Sequence, residues 1–154
     1  MTTAVPLSEE ALAARLRALE DERGILRTLN RYSHCIDYGL TKEWSECFTP
    51  DGVFDVKDLS GKRFHRESNR KELAAYLASK KAPPEQYDKH IAAAPLIEIK
   101  GDTATATSYF VAIGAGAKAL EIHVYGLYRD TLVKMGGEWL IKERIATVEG
   151  RMAH

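Results

Sequence analysis

The N-terminal part of the chain carries apolar side chains at the spacing of an amphipathic α-helix. Ser8 precedes Glu9 and Glu10, which is typical of a helix start because a Ser side chain caps the first turn and acids complement the helix dipole. Apolar residues then recur every three or four positions in two runs, first Leu12, Leu16 and Leu19, then Ile25, Leu29, Tyr32 and Ile36. The pattern predicts a helix as far as the Asp37-Tyr38-Gly39 stop, with Gly24 as the point where it could break.

Two shorter helices and a turn are predicted next. The segment KEWSECF places Trp44 and Phe48 four residues apart, so that both anchor a short helix to the core. The sequence Thr49-Pro50-Asp51-Gly52 has the composition of a turn. A further helix is predicted over residues 69–79.

From residue 53 the apolar period changes to two, which is typical of β-strands. The first two strands pair across Leu59-Ser60-Gly61, and glycine-containing turns separate the last four strands from one another. The predicted strands cover residues 53–56, 62–66, 90–99, 103–113, 120–133 and 139–148. Because helices come first and a meander of long strands follows, the predicted fold class is α+β with an antiparallel sheet.

Alternation along the long strands predicts two faces but does not say which one is inside. One face of strand 103–113 carries small residues such as Ala104 and Ser108, which leave room for another molecule, and the other face carries Tyr109. Both faces also hold apolar side chains. A sheet with two apolar faces needs a layer on each, so we expect a homo-oligomer, either a trimer or a dimer.

Size and charge exclude several classes of protein. A chain of 154 residues has the size of one domain, predicted over residues 8–149 with flexible termini at 1–7 and 150–154. It is 45% hydrophobic and 29% charged, which is too apolar for a disordered protein. Its 22 Lys and Arg balance its 22 Asp and Glu, so no net charge draws it to nucleic acid or to an anionic membrane. We expect neither as a partner.

The cysteines and the N-terminus point to a reducing compartment. Cys35 and Cys47 fall in predicted helices, without a CxxC motif or the His spacing of a zinc site. The N-terminus is acidic, unlike a signal peptide, and no apolar run approaches the roughly 20 residues that span a bilayer. GxGxxG, P-loop and HExxH motifs are lacking. The prediction is a cytoplasmic protein with no metal and no cofactor.

Asp37 and His90 are the leading candidates for chemistry. Asp37 ends the first helix, where a carboxylate is disfavoured by roughly 0.3–1 kcal/mol. His90 opens a strand and precedes Ile91-Ala92-Ala93-Ala94, whose small apolar side chains suit a cavity wall. A carboxylate that fixes the tautomer of an imidazole makes it a stronger base. Taken singly, Asp37 also fits a solvated helix end and His90 an ordinary core position, so the prediction depends on the pair.

The other histidines give weaker signals. His34 lies three residues before Asp37 on the helix, and His65 alternates within a short charged strand. His123 shares a strand face with polar neighbours, which fits either a pocket wall or a solvated face.

Several segments resemble the SnoaL-like branch of the nuclear transport factor 2 superfamily. They are RYSHCIDYGLTKEWSECFTPDGVFDV, the His90 strand, IEIKGDTATATSYF and YGLYRDTLVKMGGEWLIKER, and the resemblance covers roughly residues 8–149. It implies a cone: a strongly curved mixed or antiparallel sheet, closed by the N-terminal helices in a cystatin-like roll. It implies no single activity, since the superfamily holds scytalone dehydratase, lindane dehydrochlorinase, ketosteroid isomerase, bile acid 7α-dehydratase, polyketide cyclases and non-catalytic members.

The resemblance also implies site residues. Dehydratases of this branch use an Asp on the first helix and a His that opens the third strand, and Asp37 and His90 match those positions. The bile acid dehydratase pattern has a Tyr five residues before the Asp, which Tyr32 matches. Residues 107–115 offer only a Ser and a Tyr where several of these enzymes place a further acid or His.

The leading hypothesis is a cofactor-independent, dehydratase-like lyase or isomerase. His90, oriented by Asp37, removes a C–H proton from a small cyclic, largely apolar substrate of aromatic, steroid or polyketide kind, and Tyr32 donates a hydrogen bond. Further substrate contacts are predicted from Tyr109, His123, Ser108, Trp44 and Phe54. Two alternatives stay open: a polyketide-type cyclase or tailoring enzyme, and a non-catalytic ligand-binding or assembly module.

Overall fold

The computed structural model describes residues 7–80, 88–116 and 119–151. Residues 1–6 and 152–154, which belong to the predicted flexible termini, lie outside these ranges. Residues 81–84, part of the Lys- and Pro-containing loop predicted after the third helix, also lie outside them. Within the described ranges, no helix combines the length and the apolar character needed to cross a membrane.

Three helices and six strands make up the described fold. In chain order they are α1 (Glu9–Asp37), α2 (Thr41–Glu46), β1 (Phe48–Asp58), β2 (Arg63–Ser68), α3 (Arg70–Lys80), β3 (Lys89–Lys100), β4 (Thr103–Ala115), β5 (Leu120–Met135) and β6 (Glu138–Arg151). Each predicted helix and strand is present, with ends shifted by a few residues. Because β6 runs through Gly150 and Arg151, the predicted flexible C-terminus is wrong for these two residues.

The strands form one mixed sheet in the order β2-β1-β6-β5-β4-β3. All neighbouring strands are antiparallel except β1 and β6, which run parallel. The meander pattern predicts a wholly antiparallel sheet, so that prediction is wrong for this one pair. Helix α1 packs across β3 and β6, and α2 and α3 pack on each other and on β1. The result is the predicted α+β cone, a curved sheet closed on its concave side by helices.

Helix α1 begins and ends at the residues that the sequence indicates. The Ser8 hydroxyl accepts a hydrogen bond from the Ala11 backbone N–H at 3.2 Å. Gly39 has a φ of +65°, a conformation that a Cβ makes costly, and it follows the last turn. The helix continues through Gly24, where a Cβ would lie only 2.9 Å from Trp139 Cδ1, so glycine permits a close helix–sheet contact.

The first half of α1 projects beyond the core. Leu12, Leu16 and Leu19 are exposed, whereas burial of the helix begins at Ile25 and continues through Leu29. The apolar stripe therefore does not predict burial of Leu12, Leu16 and Leu19, because no described element covers these three side chains.

The predicted turn at residues 49–52 is instead an irregularity inside β1. The pairing of β1 with β6 shifts register between Phe48 and Val53, so the intervening residues bulge out of the ladder. Phe48 accordingly begins β1 and does not end α2. The Pro and Gly that predicted a turn are tolerated because a bulge also interrupts strand pairing.

The core is built on aromatic rings around Tyr32. The ring centroid of Tyr32 lies between 5.6 and 6.1 Å from those of four others, mostly edge to face, a favourable geometry for aromatic pairs. These partners are Trp44, Phe48, Phe54 and Tyr128. The small-residue face of β4 is the inner one, since Ala104, Ala106 and Ser108 are buried.

Candidate active site

Asp37 is the last residue of α1 and His90 is the second residue of β3. The fold brings these two element ends into contact. The imidazole Nδ1 of His90 lies 2.7 Å from Asp37 Oδ1. The backbone N–H of His90 also donates to this carboxylate, at 3.0 and 3.2 Å from its two oxygens. The carboxylate therefore fixes both the ring and the backbone of His90, and the contact predicted between the two residues is present.

The carboxylate also fixes the proton on the ring. Asp37 is 4% exposed and lies at a helix C-terminus, where an anion is disfavoured, so the hydrogen bonds from His90 stabilise its charge. Because a carboxylate only accepts, the neutral imidazole carries its proton on Nδ1 and keeps a lone pair on Nε2. Within the described part of the chain Nε2 has no hydrogen-bond partner, which leaves it available as a base.

An inner cavity of about 160 Å³ lies on the concave side of the sheet. Its polar side chains come from Tyr32, His65, Tyr76, His90 and Tyr128, and the rest of its wall is aliphatic or aromatic. A dry apolar cavity of about 150 Å³ holds a benzene ring, so this one suits a compact cyclic molecule. Apolar walls with a few converging polar groups are typical of a small-molecule site.

A larger and more open groove of about 430 Å³ lies between α1 and β3. Asp37, His90 and His34 line it, together with Asn30 and Tyr38. His90 borders both the groove and the inner cavity. We assign the site to the inner cavity because it is the more enclosed of the two and is lined by aromatic rings.

Tyr32 presents its ring to the inner cavity. Its hydroxyl is buried and makes no hydrogen bond of ordinary geometry within the described residues. Burial raises the pKa of Tyr32 well above its ordinary value, so the phenol keeps its proton at neutral pH. A buried hydroxyl without a partner is a donor that a ligand oxygen can satisfy.

Behind Tyr32 lies a buried ion pair that sequence reasoning missed. Arg144 donates two hydrogen bonds of 2.7 Å to the carboxylate of Asp130, and neither side chain is exposed. The guanidinium carbon lies 4.0 Å from the ring centroid of Tyr32 and 4.1 Å from that of Tyr128, so the cation is held between two aromatic rings. One signal was available: Asp130 and Arg144 occupy inward positions of otherwise apolar strand faces and pair directly across β5 and β6.

A second histidine, His65, lies on the cavity wall, although the sequence indicates it only weakly as a site residue. His65 Nδ1 lies 2.9 Å from Glu67 Oε2, and His65 Nε2 lies 3.0 Å from the Tyr76 hydroxyl. The His65 and Tyr76 rings also stack, with centroids 4.4 Å apart. Burial raises the pKa of Tyr76 to about 12, and the negative charge of Glu67 adds to this effect. The spacing of two between His65 and Glu67, which places both on one strand face, was the available signal.

The other predicted contacts divide into one that lines the cavity and four that do not. Phe54 lines it. Trp44 is fully buried behind Tyr32, and Ser108 is buried on the inner face with a hydroxyl that has no partner among the described residues. The placement of Tyr109 in the pocket is wrong, because alternation puts it on the outer face, 64% exposed.

His123 also lies away from the inner cavity. Its Nδ1 is 3.4 Å from Asp88 Oδ2, and the ring approaches Gly114 near the end of β4. A register shift between Ala112 and Ile113 makes His123 the extra residue of a bulge in β5, which explains why simple alternation misplaced it. As for metals, no cluster of three or more His, Cys, Asp or Glu side chains suited to bind one occurs in residues 7–80, 88–116 and 119–151.

Comparison with known proteins identifies the family. The SnoaL-like domain profile matches residues 17–145. An NTF2-like protein with a cystatin-like fold from Novosphingobium aromaticivorans is 25% identical, with a TM-score of 0.80 over 92% of this chain and 90% of that chain. A Mycobacterium tuberculosis protein of unknown function is 27% identical, with a TM-score of 0.75 over 86% of this chain and 74% of that chain.

A further structure shows the same fold at lower identity. This N. aromaticivorans protein, provisionally named a scytalone dehydratase, is 22% identical, with a TM-score of 0.71 over 89% of each chain. No curated protein matches the sequence significantly. Because the profile spans most of the chain and the solved structures share its fold, the protein belongs to the SnoaL-like domain family of the NTF2-like superfamily.

Proposed function

We propose that this protein is a cofactor-independent lyase or isomerase, dehydratase-like in its chemistry, acting on a small cyclic, largely apolar substrate. The observation that carries the proposal is the 2.7 Å contact between Asp37 and His90 on the wall of an apolar cavity. An imidazole whose Nδ1 is bound to a carboxylate and whose Nε2 is free is equipped to accept a proton.

The proposed reaction begins with transfer of a proton from a carbon next to a carbonyl to Nε2 of His90. The C–H electron pair moves toward the carbonyl, which becomes an enolate, and Asp37 stabilises the imidazolium that forms. Tyr32 donates its unpartnered hydroxyl to the enolate oxygen. Return of the proton to another carbon gives isomerisation, and departure of a β-hydroxyl group gives dehydration.

We expect the wild-type protein to exchange the α-protons of cyclohexanone in deuterium oxide, since this small ring tests proton abstraction without requiring a leaving group. His90→Ala should lower that rate by about 10²–10⁴-fold, the usual contribution of a general base. Proton NMR measures the exchange. His123→Ala is the matched control, because it removes an Asp-paired histidine outside the inner cavity and should leave the rate nearly unchanged.

Equal rates for His90→Ala and wild type would remove His90 as the base. Binding of cyclohexanone by the wild type without any exchange would favour the non-catalytic alternative, a ligand-binding module. The fold shared with the provisionally named scytalone dehydratase is compatible with the proposal, but at 22% identity it does not decide the chemistry.

We also propose that a second copy of the chain covers the outer face of the sheet. An outer patch of exposed apolar residues is brought together by the pairing of β3, β4 and β5: Ile91, Tyr109, Ile122 and Tyr125. Contiguous apolar surface of this kind is typical of an interface between subunits.

Tyr109→Glu is expected to convert a homo-oligomer to monomer, because it introduces a charge on β4, the middle strand of the outer patch. Light scattering coupled to size-exclusion chromatography measures the mass. Thr105→Glu, an exposed position on the same face of β4 but outside the patch, should leave the oligomer intact. A wild-type protein that is already a monomer would contradict the proposal.

A further inference from the structure

The inner cavity is bordered by two histidines that come from opposite edges of the sheet. His90 belongs to β3 and His65 to β2, the two edge strands. His65 is bound through both ring nitrogens, to Glu67 on one side and to the Tyr76 hydroxyl on the other. Tyr76 and His65 line the same cavity as His90. The site thus contains a second hydrogen-bonded chain, which ends at a phenol.

The direction of proton flow along this chain depends on the proton count of His65. The Glu67 carboxylate beside Nδ1 only accepts, so Nδ1 carries a proton in both the neutral ring and the imidazolium. In the neutral ring Nε2 accepts the phenolic proton of Tyr76, whereas in the imidazolium Nε2 donates to the Tyr76 oxygen and leaves the phenolic proton free to point elsewhere. Because burial and the charge of Glu67 raise the pKa of Tyr76 to about 12, its resting form is the proton donor.

We propose that His65 acts as an imidazolium and that Tyr76 is the acid that protonates the leaving hydroxyl group, with His65 and Glu67 as the positioning residues that resupply its proton. The assignment rests on the proposed function, in which His90 forms the enolate. As the enolate collapses, the C–O bond breaks and its electron pair stays on the departing oxygen. That oxygen takes the phenolic proton and leaves as water, while Nε2 of His65 passes its proton to the phenolate. Solvent then removes the proton from His90 and returns one to His65.

A purely structural reading of the same contacts makes a different prediction. The His65–Tyr76 hydrogen bond also ties β2 to α3, so its loss could loosen the cavity wall. A loosened wall lowers every reaction in the cavity alike. A missing acid lowers only the reactions whose leaving group needs a proton, and this difference is the basis of the test.

The test compares three probes on wild type and Tyr76→Phe: α-proton exchange of cyclohexanone, loss of water from β-hydroxycyclohexanone, and loss of acetate from β-acetoxycyclohexanone. Acetate is a stable anion and leaves without being protonated. A hydroxyl group must receive a proton and leaves as water. Tyr76→Phe keeps the ring stacked on His65 and should lower dehydration by about 10²–10⁴-fold, with exchange and acetate loss within about threefold of wild type. Glu67→Gln should show the same selectivity with a smaller loss of dehydration. Tyr125→Phe, a tyrosine of the outer face, is the matched control.

Each other outcome overturns a defined part of the scheme. An equal loss with all three probes would assign Tyr76 a structural role or a contact with the enolate oxygen. Unchanged dehydration by Tyr76→Phe, with exchange intact, would overturn the leaving-group assignment and leave the proposed function standing. If wild type exchanges no proton of cyclohexanone, the proposed function fails and the role of Tyr76 fails with it.

Discussion

Asp37→Asn is expected to lower cyclohexanone proton exchange by about 10³–10⁴-fold, since the equivalent Asp-to-Asn change in a Ser-His-Asp triad costs about 10⁴ in rate. The amide retains the shape of the carboxylate, but its NH₂ group can donate to Nδ1 of His90. The imidazole proton then moves to Nε2, and this nitrogen, the proposed base, loses its lone pair. The base is lost although the ring stays in place.

The matched control is Asp88→Asn. Asp88 contacts His123 at 3.4 Å outside the inner cavity, so the same chemical change should leave exchange close to wild type. Thermal unfolding measured on both variants separates loss of the base from loss of the fold. A folded Asp37→Asn protein with wild-type exchange would show that Asp37 does not set the tautomer of His90.

Arg144→Met is expected to destabilise the protein by about 3–5 kcal/mol, because removing one partner of a buried ion pair leaves the other charge uncompensated. Asp130 and Arg144 have fully buried side chains, and the described residues offer Asp130 no hydrogen bond other than those from Arg144. Urea unfolding measures the free energy. Arg129→Met, which replaces an exposed arginine on β5 next to Asp130, should change the free energy of unfolding by less than about 0.5 kcal/mol.

A second variant tests the reason for the loss. Replacing both partners, Asp130→Leu with Arg144→Met, removes the buried charges together and should recover much of the stability, since well-packed apolar residues often replace a buried pair without cost. A double variant as unstable as Arg144→Met would instead assign the stabilisation to the guanidinium held between Tyr32 and Tyr128.

The elements of the fold could be predicted because local patterns determine them. The cap at Ser8, the stop at Gly39 and the change of apolar period near residue 53 each depend on neighbouring residues in the chain. Asp37 and His90 could be paired because their positions also match a known family pattern. Their contact across the fold is observed in the structure.

The remaining parts of the site depend on how distant strands align. Their positions on strand faces were the available signals for Asp130 and Glu67, but these positions do not identify their partners, which appear only when β5 meets β6 and β2 meets α3. Tyr109 was misplaced for the related reason that alternation defines two faces without saying which is inside. The bulge at His123 is set by strand pairing and leaves no trace in the local sequence.

The parallel pairing of β1 with β6 has a consequence for biosynthesis. It joins Phe48 to Ile141 and Asp58 to Val148, so it connects segments from the two halves of the chain. Contacts between such distant segments form late, because the entropy of closing the intervening chain is lost first. A nascent chain cannot complete its sheet before the last strand leaves the ribosome, and until then β5 presents an unpaired edge. The inner cavity, with walls from both β1 and β6, therefore forms only after β6 has joined the sheet.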